Sequence, residues 1–121
     1  MADYLPKFTP GKAVTFAAAV AVVGGRLVAV VGNRTVGPAG ADAATVVGVA
    51  GFDALAAENV TVYTRPTGVQ QLVASGAIAA GAKVISAIDG KVATQAAGVN
   101  PIGIALEAAA ADLDVIDVLF I

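Results

Sequence analysis

From Asn59 to Thr64 the chain alternates, with β-branched and aromatic side chains throughout. A period of two predicts a half-buried β-strand. Residues 114–120 repeat the pattern, with Ile116, Val118 and Phe120 on one face. Asp89-Gly90 stands between the runs 83–88 and 91–95. That pair predicts a hairpin, because a type I′ turn needs positive φ at both central residues. Gly32-Asn33, Gly37-Pro38-Ala39-Gly40 and Asn100-Pro101 punctuate the chain in the same way. Fourteen glycines leave no clean stretch for a long helix. The Ala-rich residues 54–58 and 105–112 have high helix propensity, and each predicts a short helical turn or a loop.

The order of these elements occurs twice. Gly25-Arg26-Leu27-Val28 has a counterpart in Gly81-Ala82-Lys83-Val84, 56 residues later. Val47-Gly48-Val49-Ala50 is echoed by Ile102-Gly103-Ile104-Ala105, and Asn59-Val60-Thr61-Val62 by Asp114-Val115-Ile116-Asp117, both 55 residues on. A single one-residue gap accommodates all three matches. Many short strands in two similar halves predict an all-β fold, a small β-barrel or sandwich that limits exposed strand edges. The expected organisation is one β domain over residues 13–121, with an internal duplication of about 13–66 and 67–121. Residues 1–12 fall outside the repeat. Their two prolines and three large apolar side chains, Tyr4, Leu5 and Phe8, favour an extended N-terminal arm that docks on a neighbouring chain.

Composition adds a reason to expect neighbours. Hydrophobic residues make up 58% of the 121-residue chain and charged residues 13%, about half the ordinary charged share of ~25%. So few charges cannot cover the surface of a small domain, so part of that surface is expected to be hidden against other subunits. The net charge is −2, and the seven basic residues are scattered rather than gathered into the stripe that phosphate neutralisation needs, which argues against nucleic-acid binding. The apolar run 13–23, between Lys12 and Gly24-Gly25, imitates a secretory signal. It lacks Leu, contains Thr15, follows Asp3, Pro6 and Pro10, and is too short to span a bilayer before Arg26. A buried strand pair is the better reading, and no membrane association is expected.

Catalytic chemistry has little to work with. The absence of His and Cys removes the usual bases, nucleophiles and transition-metal ligands. Asp112, Asp114 and Asp117 form the one local group of carboxylates. On a strand, Asp112 and Asp114 share a face that Asp117 does not, and a Ca²⁺ site wants more oxygens in a loop. A solvated turn entering the last strand is the expected role. Residues 76–84 approach a P-loop, but Ala82 intrudes between Gly81 and Lys83, and Val84 replaces the required hydroxyl. Lys91 beside the Asp89-Gly90 turn lacks the Asp-Lys-Ala or Met-Lys-Met setting of a carrier-domain lysine. The sequons at Asn33 and Asn59 matter only in a secretory eukaryotic context that nothing else supports. No cofactor, metal or enzymatic activity is expected.

Several weak motifs in a fixed order do resemble a family. They are Phe8-Thr9-Pro10-Gly11, Gly24-Gly25-Arg26-Leu27-Val28, Val46-Val47-Gly48-Val49-Ala50, Asn59-Val60-Thr61-Val62-Tyr63, Gly81-Ala82-Lys83-Val84, Asn100-Pro101-Ile102-Gly103-Ile104-Ala105 and Val118-Leu119-Phe120. Together they resemble the capsid decoration, or cement, proteins of tailed phages, especially those of actinobacterial hosts. The resemblance implies a homotrimer on the outer capsid surface of the virion, clamping major capsid protein subunits against internal DNA pressure. It implies synthesis in the host cytoplasm. Tyr4, Leu5, Pro6 and Phe8 are the candidate capsid contacts. The alternative is another virion module, associated with a tail or fibre.

Overall fold

The computed structural model describes residues 13–65 and 68–121. Ten strands run in order: β1 (Ala13–Ala18), β2 (Leu27–Gly32), β3 (Thr35–Pro38), β4 (Val46–Ala50), β5 (Asn59–Thr64), β6 (Val69–Val73), β7 (Lys83–Ser86), β8 (Val92–Thr94), β9 (Gly103–Ala105) and β10 (Val115–Phe120). Among the described residues the one helical element is a 3-10 turn at Ile88–Gly90, so the fold is all-β.

The first five strands close into a barrel ordered β1-β3-β2-β4-β5, sealed by β1 against β5. The last five form a second sheet ordered β6-β10-β9-β7-β8, whose edges meet through a parallel bridge between Ala74 and Val92. Counted within each half, the neighbours are the same: first with fifth, fifth with fourth, fourth with second, second with third. Hydrogen bonds outside the ladders follow suit. Val22 and Ala54 exchange both backbone bonds, as do Ile78 and Ala109; Gly25 N donates to Ala50 O, and Gly81 N to Ala105 O.

Alternation decides what each half encloses. Val28, Val36, Val60 and Val62 fill the first barrel, and Val84, Val92, Ile116 and Val118, each 56 residues on, fill the same places in the second, so Val60 corresponds to Ile116 and the last strand lies one residue off the match expected from the sequence. Phe120 is buried with Ile116 and Val118, as the pattern of residues 114–120 predicts. The predicted hairpin joins β7 to β8, with positive φ at both Asp89 and Gly90. The strand at 59–64 matches β5.

One segment departs from expectation. Residues 13–23 are one strand, not a strand pair: β1 ends at Ala18, and beyond it only Val22 makes a bridge, while Val20 and Val23 stay exposed. With no polar partner to alternate against, the run AAAVAVV has no period to hold it in a sheet. The Ala-rich residues 54–58 and 105–112 are loops and turns, one of the two forms expected of them, and Ala54 and Ala109 are held in bridges that a helix cannot make.

The halves are joined end to side. Leu27, Ala29, Ala39, Val46 and Val49 of the first half share one core with residues of the second, including Ile102 and Phe120. Ser86 is the buried polar hub of this junction: its Oγ donates to Gly40 O at 2.8 Å and accepts from Ala43 N at 2.9 Å. Arg65 bonds Val46 O and Ile121 O through its two terminal nitrogens, and burial pulls its guanidinium below the ordinary value. Asp42 reaches across as well. Its carboxylate accepts from Val99 N (3.1 Å) and Asn100 N (3.0 Å), and its carbonyl from Asn100 Nδ2. Bonds to an ionised acceptor contribute about 1.5–3 kcal/mol. Asp42→Ala is therefore expected to cost about 2 kcal/mol, read as a lower urea midpoint at unchanged slope.

Candidate contact surface

One end of the first barrel is built from the loop between β1 and β2 (residues 19–26) and the loop between β4 and β5 (residues 51–58). The Val22–Ala54 bridge ties the two together. Gly24 N donates to Asp53 Oδ1 at 2.8 Å, and Leu55 N to Glu58 Oε1 at 2.7 Å. Gly24 lies so close to Phe52 that an added Cβ would come within 2.8 Å of its Cα. These loops thus satisfy much of their own backbone and carboxylate chemistry.

What they leave outward is apolar. Val20, Val23, Phe52 and Leu55 are each half or more exposed, Leu55 at 67%. Val23 and Leu55 line a shallow concavity of about 260 Å³ together with Asp53 and Glu58. Val23 also lines a neighbouring one of about 230 Å³, with Arg26, Leu27, Pro38 and Asp89, where the two halves meet. At the matching positions the second half carries Gly76, Ala79, Glu107 and Ala110, and its corresponding loop exposes Leu106 and Leu113 instead. Val23 and Leu55 thus share an apolar concavity with a small acidic rim on a hydrogen-bonded frame, and Val20 and Phe52 are exposed on the same two loops.

The candidate contacts Tyr4, Leu5, Pro6 and Phe8 lie outside the described residues. The chain enters the barrel at Ala13, paired with Tyr63, at the end opposite these loops. The carboxylate group of the last turn is dispersed. Asp112 and Asp114 lie in the turn before β10, not on a strand, so they do not share a strand face. Asp114 accepts from Ala110 N and Ala111 N, and Asp112 pairs with Lys91 at 3.5 Å. Among the described residues no three potential ligands gather for a metal. Residues 76–84, the near-miss for a P-loop, lead into strand β7 rather than a helix, with Gly81 at φ +85°.

Sequence reasoning passed over Val20, Val23, Phe52 and Leu55. Two signals were present: the lost alternation after Ala18, and an aromatic residue placed in a Gly51-Phe52-Asp53 turn.

The family model of the phage cement proteins matches residues 8–120, nearly the whole chain. The chain belongs to the phage cement protein family. Among solved structures, this cement protein is similar to the N base of the head fibre gp8.5 of bacteriophage phi29. The identity is 20%, the TM-score 0.73, and the match covers 91% of this chain and 93% of that one. The shared feature is the fold. No curated protein matches the sequence. As a cement protein, the chain is a structural component of a phage virion and associates with the capsid shell.

Proposed function

We propose that this cement protein binds the outer surface of the major capsid protein shell and stiffens it against the pressure of packaged DNA, as a homotrimer assembled from chains made in the host cytoplasm. It acts by surface complementarity, without catalysis, cofactor, nucleic acid or membrane. The observation that carries the reading is the apolar end of the first barrel, where Val20, Val23, Phe52 and Leu55 stand exposed on hydrogen-bonded loops. The arm residues Tyr4, Leu5, Pro6 and Phe8 add a second anchor. Twelve extended residues reach about 40 Å, twice the length of a six-residue strand at roughly 20 Å. An extended segment of that length would reach the surface that the loops touch. Several subunits gripped at once add avidity wherever the spacing fits.

The test is occupancy of purified shells by the full chain, by a variant lacking residues 2–12, and by Leu55→Asp. Burying an unpaired carboxylate costs more than the ~1.4 kcal/mol that separates a tenfold change in affinity. Each variant is expected to bind at least tenfold more weakly; undiminished occupancy by both would refute the reading. The fold shared with a head-fibre base supports a second reading, a tail- or fibre-associated module. Binding to isolated tails in preference to DNA-filled heads would favour it.

A further inference from the structure

The two halves share a strand order but differ in how far they close. In the first, the tip of the β2–β3 hairpin leans on β1: Ala17 N donates to Arg34 O at 3.0 Å, and the Arg34 guanidinium bonds Thr15 O. The corresponding residues, 56 further on, are Val73, Gly90 and Gln71. Gly90 has no side chain to reach across. Its turn is also held elsewhere, since Gly90 N donates to Ala39 O at 2.9 Å and Asp89 O accepts from Arg26 Nη1 at 3.2 Å. The hairpin tip that completes the first barrel serves, in the second, to join the halves. Among the described residues, backbone pairing across the second seam begins only past the end of β6, with the Ala74–Val92 bridge and the bond from Ser75 N to Val92 O.

This leaves β6 with an open edge. Gly68 O and Ala74 N, which flank the strand, bond to β10, and the even-numbered residues between them face the same way. The backbone groups of Val69, Gln71 and Val73 therefore point away from the sheet. No strand among the described residues pairs with them. Val69 and Gln71 are exposed, while Leu72 is buried on the inner face. Such an edge is a template for one more strand.

The arm has the build of that strand. Pro6 and Pro10 stand four residues apart, so in an extended arm both missing donors fall on one edge. Leu5, Lys7 and Thr9 keep their donors on the other. Tyr4, Pro6, Phe8 and Pro10 share one face. A strand of this kind bonds along one side and resists further extension, as an outermost strand requires.

We propose that residues 3–10 of one copy add antiparallel to β6 of a neighbouring copy, with Lys7 beside Gln71. The inference rests on the self-association proposed above and names the contact that produces it. Directly paired residues of an antiparallel pair share a face, so Leu5, Lys7 and Thr9 lie outward with Val73, Gln71 and Val69. Tyr4 and Phe8 then turn inward, on the side of Leu72. Each copy gives one arm and receives one, a head-to-tail contact that closes into a ring when the rotation permits. The shortage of charged surface calls for neighbours, and exchange supplies one on each side.

The chain has no cysteine, so combining Lys7→Cys with Gln71→Cys supplies its only thiols. Directly bonded strand partners lie about 5.5 Å apart between Cα atoms, within disulfide reach. After mild oxidation of the full chain, non-reducing gels are expected to show linked dimers and trimers. Light scattering over a concentration series then compares the unaltered chain with Lys7→Pro and Lys7→Ala. Lys7→Pro removes the central donor of the arm and should dissociate at least about tenfold more readily. Lys7→Ala keeps that donor and should stay within about threefold of the unaltered chain. Oxidised single chains without free thiol would place the arm on its own β6 and overturn the exchange. Association that yields no linked species, or that ignores Lys7→Pro, would overturn this contact and leave self-association standing. A chain that is monomeric throughout would overturn both, while leaving shell binding to its own assay.

Discussion

Gly48→Ala is expected to destabilise the protein by about 3 kcal/mol or more, roughly 10 °C in midpoint for a chain of this size. Gly48 sits in β4 opposite Thr64 of β5. A Cβ built there would lie 2.2 Å from Tyr63 O and 2.9 Å from Thr64 Cα. The obstacle is backbone, so no change of rotamer relieves it, and β4 must part from β5. That opens the barrel along a seam with Val60 and Val62 behind it. Gly103 repeats the geometry in the second half, with Leu119 O at 2.5 Å. Gly40→Ala is the control: an added Cβ there meets nothing within 4 Å, and the change should stay within about 0.5 kcal/mol. Urea denaturation of the two variants beside the parent protein checks the claim. A Gly48→Ala protein as stable as the parent would show that β4 and β5 do not approach this closely.

The second large effect belongs to Leu27→Ala, expected to cost about 3 kcal/mol, within the ~2–5 range for emptying a buried leucine site. Leu27 points out of its own barrel, and it is fully buried because the second half covers it. Gly90, at φ +70°, brings the turn so close that an added Cβ would lie 2.5 Å from Leu27 O. With so tight a fit, the surroundings have little room to collapse into the space the leucine leaves. Because one core spans both halves, the variant should still unfold in a single transition, at a lower denaturant midpoint. A loss below about 1 kcal/mol would mean that the halves do not seal this side chain between them.

Much of the strand content was legible because the cause is local. The alternation at 59–64 and 114–120 sets which side chains enter each barrel, and Asp89-Gly90 sets a turn through its tolerance of positive φ. The matched glycines of Val47-Gly48-Val49-Ala50 and Ile102-Gly103-Ile104-Ala105 were visible as a pattern. Their reason, a neighbouring strand pressed against a missing side chain, is a distance between residues far apart in the chain. Val20 and Val23 were misplaced because an unbroken apolar run carries no period from which to read a face. The contact surface was legible only as an excess, too few charges for the area to be covered, with no indication of where the apolar excess would lie.

The sequence by itself determined the element type, the repeated order and the absence of His and Cys. Those properties depend on residue identity and on neighbours a few positions away. Only the tertiary structure decided that the halves join end to side, that Leu27 is interior while Leu55 is exterior, and which apolar surfaces remain open. Burial is set by which distant segments pack together, and two valines with similar local sequence can have opposite fates once one of them is covered.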